Sequence, residues 1–415
     1  MAEKTIIIGG GVVGLASGLS LAGRGLDVTL IEPDTARLGA SWGNAGHVAI
    51  EQVEPLASRA ALRSAPGRLF SRGGALALPA SQWRNWAPFA WKMFGASRPD
   101  RFAAGKAALS ALMQEAMPAW RRLAGQLPDD TLLRENGHYV LWDTTEAALR
   151  GEARWMSADT GTAHFHAIDE DERDTLARLL GRSPAGGIRF DNSGQISDLG
   201  QLADALETAF ESAGGRIVRA HARLAAVGGR AGVAIDGGAL DVPDHIVLAA
   251  GVRSGTLIAP LGHRAPIVAE RGYHIRARDH DWPAGLPPVV FEDRSVIVTR
   301  YADCVQAASF VELGDADAPP DPAKWQRLEQ HVAQLGLPMR APFERWMGSR
   351  PTLPDYLPAI GRSTRAANLV YAFGHQHLGL TLAPITGEIV GALVLGERPP
   401  CGIAAFDINR FAARG

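Results

Sequence analysis

The first 32 residues constrain the fold more than any later stretch of the 415-residue chain. "KTIIIGGG", Lys4 to Gly11, is an apolar, β-branched run closed by glycines. A helix-period stretch follows from about Val12 to Ala22, with Leu15, Ala16, Leu19 and Leu21 available for packing. "LDVTLIE", Leu26 to Glu32, reads as a second apolar strand. Strand, glycine turn, helix and strand make one β-α-β unit. Its turn, Gly9-Gly10-Gly11-Val12-Val13-Gly14, is a G-x-G-x-x-G. Gly9 permits the tight turn, Gly11 lets a pyrophosphate approach the backbone, and Gly14 lets helix and strand pack closely. Val13 follows within the helix N-terminus that faces the phosphates. Glu32, at the end of the second strand, is placed to accept hydrogen bonds from an adenosine ribose. An acid there argues against a 2′-phosphate and so against NADP.

The next segment, "SWGNAGHVAI" from Ser41 to Ile50, carries no charged side chain apart from its histidine. Ser41 can bond a phosphate oxygen, and Asn44 can bond carbonyl or ribityl groups. Gly43, Ala45 and Gly46 let the backbone near a flat ring, and His47 can lie along its edge. A loop of this kind beside the second strand, with the dinucleotide motif at residue 9 and a long discontinuous remainder, favours FAD over NAD.

Strand signals for the same sheet recur much later. "SDLGQLADALETAFESAGG" reads as a helix capped by Asp198, with Leu199, Leu202, Leu206, Ala209, Phe210 and Ala213 on one stripe and Gly214-Gly215 ending it. "RIVRA" returns as a strand, a glycine-turned antiparallel excursion follows, and Ile246 to Ala250 is a buried strand. "NLVYAFG" is another, and "APITGEIVGALVLG" a last helix stopped at Gly396. The fold class expected is α/β: a discontinuous Rossmann-like FAD-binding domain from 1–51, 146–261 and 346–415. An antiparallel-sheet substrate domain from 52–145 and 262–345 is inserted into it.

Composition removes several classes. A formal net charge of −2 gives no reason to expect nucleic acid. Cys304 and Cys401 are the only cysteines, with no CxxC, so a disulfide framework and a cysteine-ligated cluster within the chain are excluded and a reducing compartment is expected. The N-terminus lacks the pattern of a signal peptide, and no run of 18 apolar residues appears. No metal is expected. "LALPASQWRNWAPFAWKMF", Leu76 to Phe94, mixes Trp83, Trp86, Trp91 and Phe94 with Arg84 and Lys92. Either its rings pack under a substrate lid, or the segment meets a membrane interface.

"GASWGNAGHVA" with the β-α-β unit resembles the D-amino-acid dehydrogenase branch of the FAD-dependent amine and amino-acid oxidoreductases, which includes glycine and sarcosine oxidases. "GQISDLGQLADAL", "IVLAAGVRSG", "PIVAERGYHI", "MGSRPTLPDYLPAIGR" and "FGHQHLGLTLAP" are similar to further segments of that family in the same order, covering nearly the whole chain. The resemblance implies that Ala250-Gly251 lies against the cofactor and that Arg350 binds a substrate carboxylate. A guanidinium on a proline-stiffened loop suits such capture; the rival reading of Arg350 is a structural ion pair, with Asp355 the candidate partner. Gly379, Leu380 and Thr381 stand just before the last helix, whose N-terminus would face the flavin pyrimidine and stabilise charge developing there. Similar glycine oxidases carry an arginine where this chain has His377, a group that titrates near neutrality. Tyr273 lines the pocket or packs in its sheet; Tyr301 and His274 are weaker candidates. His47 contacts the flavin or tethers it, non-covalent binding being preferred.

The wording of the two C-terminal segments is most similar to D-hydroxyproline dehydrogenases. The implied reaction is hydride transfer from Cα of a D-amino acid, cis-4-hydroxy-D-proline or D-proline, to flavin N5. The alternatives are an oxygen-using glycine/sarcosine-type amine oxidase and a flavin-binding subunit of a larger oxidoreductase. Electrons would pass to oxygen, a quinone or an acceptor subunit, and the expected location is cytoplasmic or peripheral to the inner membrane.

Overall fold

The computed structural model describes residues 2–412. The amino-terminal unit forms as the sequence predicts: strand Lys4–Ile8, helix Val12–Ala22 and strand Asp27–Ile31, with the two strands paired in parallel. They sit in a six-stranded sheet ordered Arg216–Val218, Asp27–Ile31, Lys4–Ile8, His245–Leu248, Leu369–Phe373 and Ala359–Arg362. All neighbours are parallel except the last pair. The start, middle and end of the chain therefore share one sheet. The apolar runs are buried on both faces, as a covered parallel sheet requires.

Helix Leu199–Ser212 starts where Asp198 accepts the backbone N–H of Gln201 at 2.8 Å, and it buries Leu199, Leu202, Leu206 and Phe210. The last helix, Gly379–Val394, begins several residues earlier than the sequence pattern suggests, so Gly379, Leu380 and Thr381 form its first turn. Pro384 lies inside it. The Leu380 carbonyl, which Pro384 has no N–H to satisfy, instead accepts the indole N–H of Trp120 at 3.1 Å. By length and hydropathy the segment Gln376–Val394 could cross a membrane, but 83% of its apolar window is buried inside the fold. It packs on Val12–Ala22 and on Ala116–Ala124 as a core helix.

The second sheet has nine strands. Its main path runs Glu344–Thr352, Val268–Ala277, Val305–Gly314, Val296–Arg300, Val289–Phe291, His138–Trp142, Gly186–Phe190 and Phe165–Ala167, with Leu76–Ala77 beside Val305–Gly314. It differs from the sequence expectation in two ways. It is not wholly antiparallel, because His138–Trp142 pairs in parallel with Val289–Phe291 and Leu76–Ala77 in parallel with Val305–Gly314. It also takes in strands from stretches assigned to the nucleotide domain: 165–190, and 344–352 across the expected boundary at 346. These strands pair with partners 21 to 84 residues away in sequence, and local periodicity does not reveal their sheet.

Candidate functional site

The sheets meet across a cavity of ≈ 1770 Å³, larger than an ordinary small-ligand pocket and roomy enough for a dinucleotide with a substrate beside it. At one end lies the glycine turn. Gly9 has φ +111°, and a Cβ there would stand 2.4 Å from the Ala249 carbonyl oxygen. A Cβ on Gly14 would come within 1.9 Å of the Gly9 carbonyl oxygen. Both positions thus exclude any larger residue, and the cradle stays open for phosphate at the helix N-terminus. Gly14 lies behind the cavity wall, whereas Gly9, Gly11 and Val13 line it. Glu32 accepts the Gly10 N–H at 2.6 Å and the Asp34 N–H at 2.7 Å, which fixes its carboxylate at the cavity edge where a ribose would lie.

The loop from Ser41 is held differently from expectation. Ser41 Oγ accepts the Val12 N–H at 3.1 Å and so sits at the phosphate end of the helix. Asn44 spends its carboxamide inside the loop: its Nδ2 donates to the Ser41 carbonyl and its Oδ1 accepts the Gly46 N–H, both at 2.7 Å. The loop carbonyls are tied to the second sheet. Gly43 O meets His274 Nδ1 at 2.9 Å, Asn44 O accepts from Tyr301 and Gln306, and Ala45 O accepts from Thr299. Tyr301 and His274 therefore hold the loop, and Asn44 stiffens it, leaving backbone and small residues to face the cavity. Gly46 is not in the wall; its φ of +66° turns the chain beneath Tyr301. Ala250 and Gly251 line the cavity, as do Gly379 and Leu380. Thr381 lies behind, its hydroxyl accepting the Ala49 N–H at 3.0 Å.

His47 also lines the cavity. Its Nε2 is 3.3 Å from Glu51 Oε1, and its ring meets that of His138 edge-on with centroids 4.5 Å apart. Burial would raise the Glu51 carboxyl, but the charge and hydrogen bond of His47 overcome it and hold the group down at about 2. Burial pushes His138 down to about 3, so that ring is neutral. His47 Nδ1 and Glu51 Oε2 are buried without a partner among the described residues.

The far end is built from side chains on alternating positions of Val268–Ala277. Glu270, Gly272 and His274 face the cavity side, while Arg271, Tyr273 and Ile275 face helix Pro322–Leu335. Tyr273 borders the cavity, but its ring and hydroxyl are engaged on the other side of the strand. Its ring packs against Phe310 and Trp325, and its hydroxyl donates to Glu312 at 3.2 Å and accepts the Asp321 N–H at 3.1 Å. It belongs to a buried ion network in which Glu312 meets Arg271 at 2.8 Å and also Lys324. Tyr273 therefore meets both readings in part, bordering the cavity while its ring packs within the sheet layer.

Arg350 reaches the cavity from Glu344–Thr352. Its ion-pair partner is Glu270, at 3.1 Å through Nη1, and not Asp355, which is held by Arg410 at 2.6 Å. Nη1 also donates to the Phe310 carbonyl at 3.2 Å. Nη2 has no partner among the described residues and lies against Gly272, where a Cβ would stand 2.4 Å away. Glu270 in turn accepts from Thr352 at 3.2 Å and Tyr356 at 3.3 Å. One side of the guanidinium is locked and the other remains open to the cavity. His377 meets Gln52 through Nε2, and burial pushes its pKa down to about 4, so it is neutral at physiological pH and not a group titrating near 7.

Glu270, Gln52, Glu51, His138 and Gln376 were not foreseen. Glu270 had a signal: a carboxylate inside an otherwise buried strand requires a cationic or hydrogen-bonding partner. Gln376 takes φ +50° between His375 and His377 with its Oε1 buried and unpartnered, a strained position that only the structure reveals.

A nucleotide sheet sharing one cavity with a second sheet is the architecture of a dinucleotide-dependent oxidoreductase. The chain belongs to the family of FAD-dependent oxidoreductases, whose model matches residues 4–393, and FAD is its cofactor. It is 29% identical over 414 residues to a D-amino-acid oxidase of Bradyrhizobium diazoefficiens, covering 98% of each chain. It is 31% identical over 423 residues to D-amino acid dehydrogenase 2 of Pseudomonas aeruginosa, covering 96% of each. Its fold matches glycine oxidase from Geobacillus kaustophilus with TM-score 0.74 and 21% identity, over 99% of this chain and 100% of that one.

Proposed function

We propose that the protein oxidises a D-amino acid, with a proline-type ring, cis-4-hydroxy-D-proline or D-proline, as its preferred substrate. The observation that carries this reading is Arg350: one Nη is fixed by Glu270 and the Phe310 carbonyl, while the other faces the cavity beside a residue with no side chain. A carboxylate can take the open edge with charge-assisted hydrogen bonds. His377 stays neutral and offers a ring hydrogen bond without competing for the anion. FAD, when bound, supplies the two-electron acceptor for the substrate Cα–H. The chain's part is to fix the carboxylate so that the Cα–H faces the cofactor, and to keep water from the amine. Such positioning contributes roughly 7–11 kcal/mol in favourable cases. The D-series preference draws on the names of the two relatives, one an oxidase and the other a dehydrogenase.

The test is the anaerobic visible spectrum of the holoenzyme with D-proline, cis-4-hydroxy-D-proline, D-alanine and the L forms. Bleaching by the D-proline types is the expected result. Equal bleaching by many D-amino acids would remove the ring preference, and bleaching only by L forms would overturn the D-series reading. Admitting air and then a soluble quinone to the reduced protein distinguishes oxygen from a quinone as acceptor.

A further inference from the structure

Between residues 55 and 110 the chain carries nine Lys or Arg and a single acid, Asp100, against a near-balanced total. Only Arg98 and Lys106 meet a carboxylate there among the described residues. Arg59, Arg63, Arg68, Arg72, Arg84, Lys92 and Arg101 do not, although arginines over the rest of the surface are mostly ion-paired. The only shift at Lys92 is downward, from burial and from the nearby Arg264, a further cation.

Helix Trp83–Ala96 runs through this basic stretch. Its inward face is already used: Phe89 is buried against Tyr356, and Trp86 donates its indole N–H to the Pro79 carbonyl at 2.9 Å. The outward arc carries Trp83, Arg84, Pro88, Trp91 and Phe94 at helical spacing. Trp91 is 78% exposed, Phe94 64% and Trp83 55%, and Trp91 and Phe94 stack on each other in the open. Arg84 lies over the Trp83 ring. The segment before it, Arg59–Ser64 through Phe70–Arg72, buries no residue. Trp86 and Phe89 thus pack inward while Trp83, Trp91 and Phe94 face solvent.

We propose that this face seats the protein on an anionic lipid bilayer. Exposed Trp and Phe suit the headgroup boundary, and unpaired arginines suit anionic lipid; a soluble surface would gain from neither. The charge excess favours lipid over a second copy of this chain, which would bring its own cations to the contact. Ala61, Leu62, Leu78, Ala90 and Met93 of the same segment line the cavity. Seating would therefore bring the cavity mouth to the lipid surface. This inference does not depend on which amine is the substrate.

The test is co-sedimentation of the holoenzyme with vesicles of phosphatidylcholine alone and with added phosphatidylglycerol. Binding to the anionic vesicles only, weakened by raised salt, is expected. Trp91→Ser with Phe94→Ser, and separately Arg84→Glu with Lys92→Glu, should each lower the partition coefficient roughly tenfold or more. Flavin absorbance and melting temperature should stay unchanged, since these side chains lie outside the cavity. No binding by the wild type overturns the proposal, as does binding that neither double variant weakens. Analytical ultracentrifugation without lipid supplies a further check: a dimer that the Trp91/Phe94 variant dissolves, with no vesicle binding, would assign the face to a second copy instead.

Discussion

The two ends of the cavity are built by opposite means. The nucleotide end is backbone: a glycine turn, a helix N-terminus and one acid, all within Lys4 to Glu32. The substrate end is side chain: Arg350, Glu270, His377 and Gln52 come from four separated segments and meet only because two sheets close on each other. Backbone recognition is contiguous because consecutive peptide groups supply the donors. Carboxylate recognition needs a charged group, and a charged group inside a fold needs partners to hold it. The first kind of site therefore tolerates almost no added volume, while the second tolerates no loss of a partner.

The largest effect is expected from Gly14→Ala. The new methyl would stand 1.9 Å from the Gly9 carbonyl oxygen, so the turn must open. Overpacking of this kind costs roughly 1–3 kcal/mol or more, here where phosphate must bind. Flavin content per protein and the melting temperature should both fall sharply; a variant that retained full flavin would break the contrast between the two ends.

Arg350→Met should do the reverse. Flavin absorbance should persist while kcat/KM falls about a hundredfold or more, the worth of two charge-assisted hydrogen bonds at roughly 1.5–3 kcal/mol each. Melting should also drop, because Glu270 would lose its cation. Glu270→Gln sharpens the point. It keeps acceptors for Thr352 and Tyr356 while loosening Arg350, so KM should rise more than kcat falls. An equal fall in both variants' flavin content would instead make the two ends one cooperative unit.

The smallest effect is a pH dependence concentrated around the cavity. Burial pushes His138, His274 and His375 down to about 3 and His377 to about 4. The unfolded chain binds protons at these rings from about 6.5 downward and the folded one does not, so stability falls as pH drops from about 6.5 toward 3. Glu51 adds to the same loss below about 4.5, since its folded pKa is depressed to about 2. Melting temperature against pH should decline through that window. His377→Gln should flatten the upper part of the decline slightly, and a flat profile in the wild type would mean that the rings are not buried neutral.

Legibility from sequence follows the same division. The Asp198 cap is read directly because it acts on a neighbour three residues away, and the glycine turn and Glu32 because they belong to one short β-α-β unit. Ser41 reads as a partner of a phosphate oxygen, and in the structure its hydroxyl accepts the Val12 N–H at the helix N-terminus. Asn44 was read as a donor to the cofactor, yet its carboxamide closes its own loop, a choice between equally good partners that composition leaves open. The sequence leaves Tyr273 between lining the pocket and packing in its sheet, because strand alternation is fixed only relative to a neighbour whose side is known. The structure shows it bordering the cavity with its ring and hydroxyl used in packing. The strands Phe165–Ala167 and Gly186–Phe190, in a stretch expected to belong to the FAD-binding domain, join the second sheet, because a short apolar strand carries no label for its partner.

The sequence by itself determined the nucleotide cradle and the parallel sheet around it, because backbone geometry and 3.6- or 2-residue periodicity are local properties; the kind of chemistry to expect came from the resemblance of its motifs to a family. The tertiary structure alone decided that Arg350 pairs with Glu270, that His377 is held neutral beside Gln52, and that three aromatic rings face outward among unpaired cations. Ion pairing and burial depend on which surfaces meet, and that is set by the packing of elements far apart in the chain.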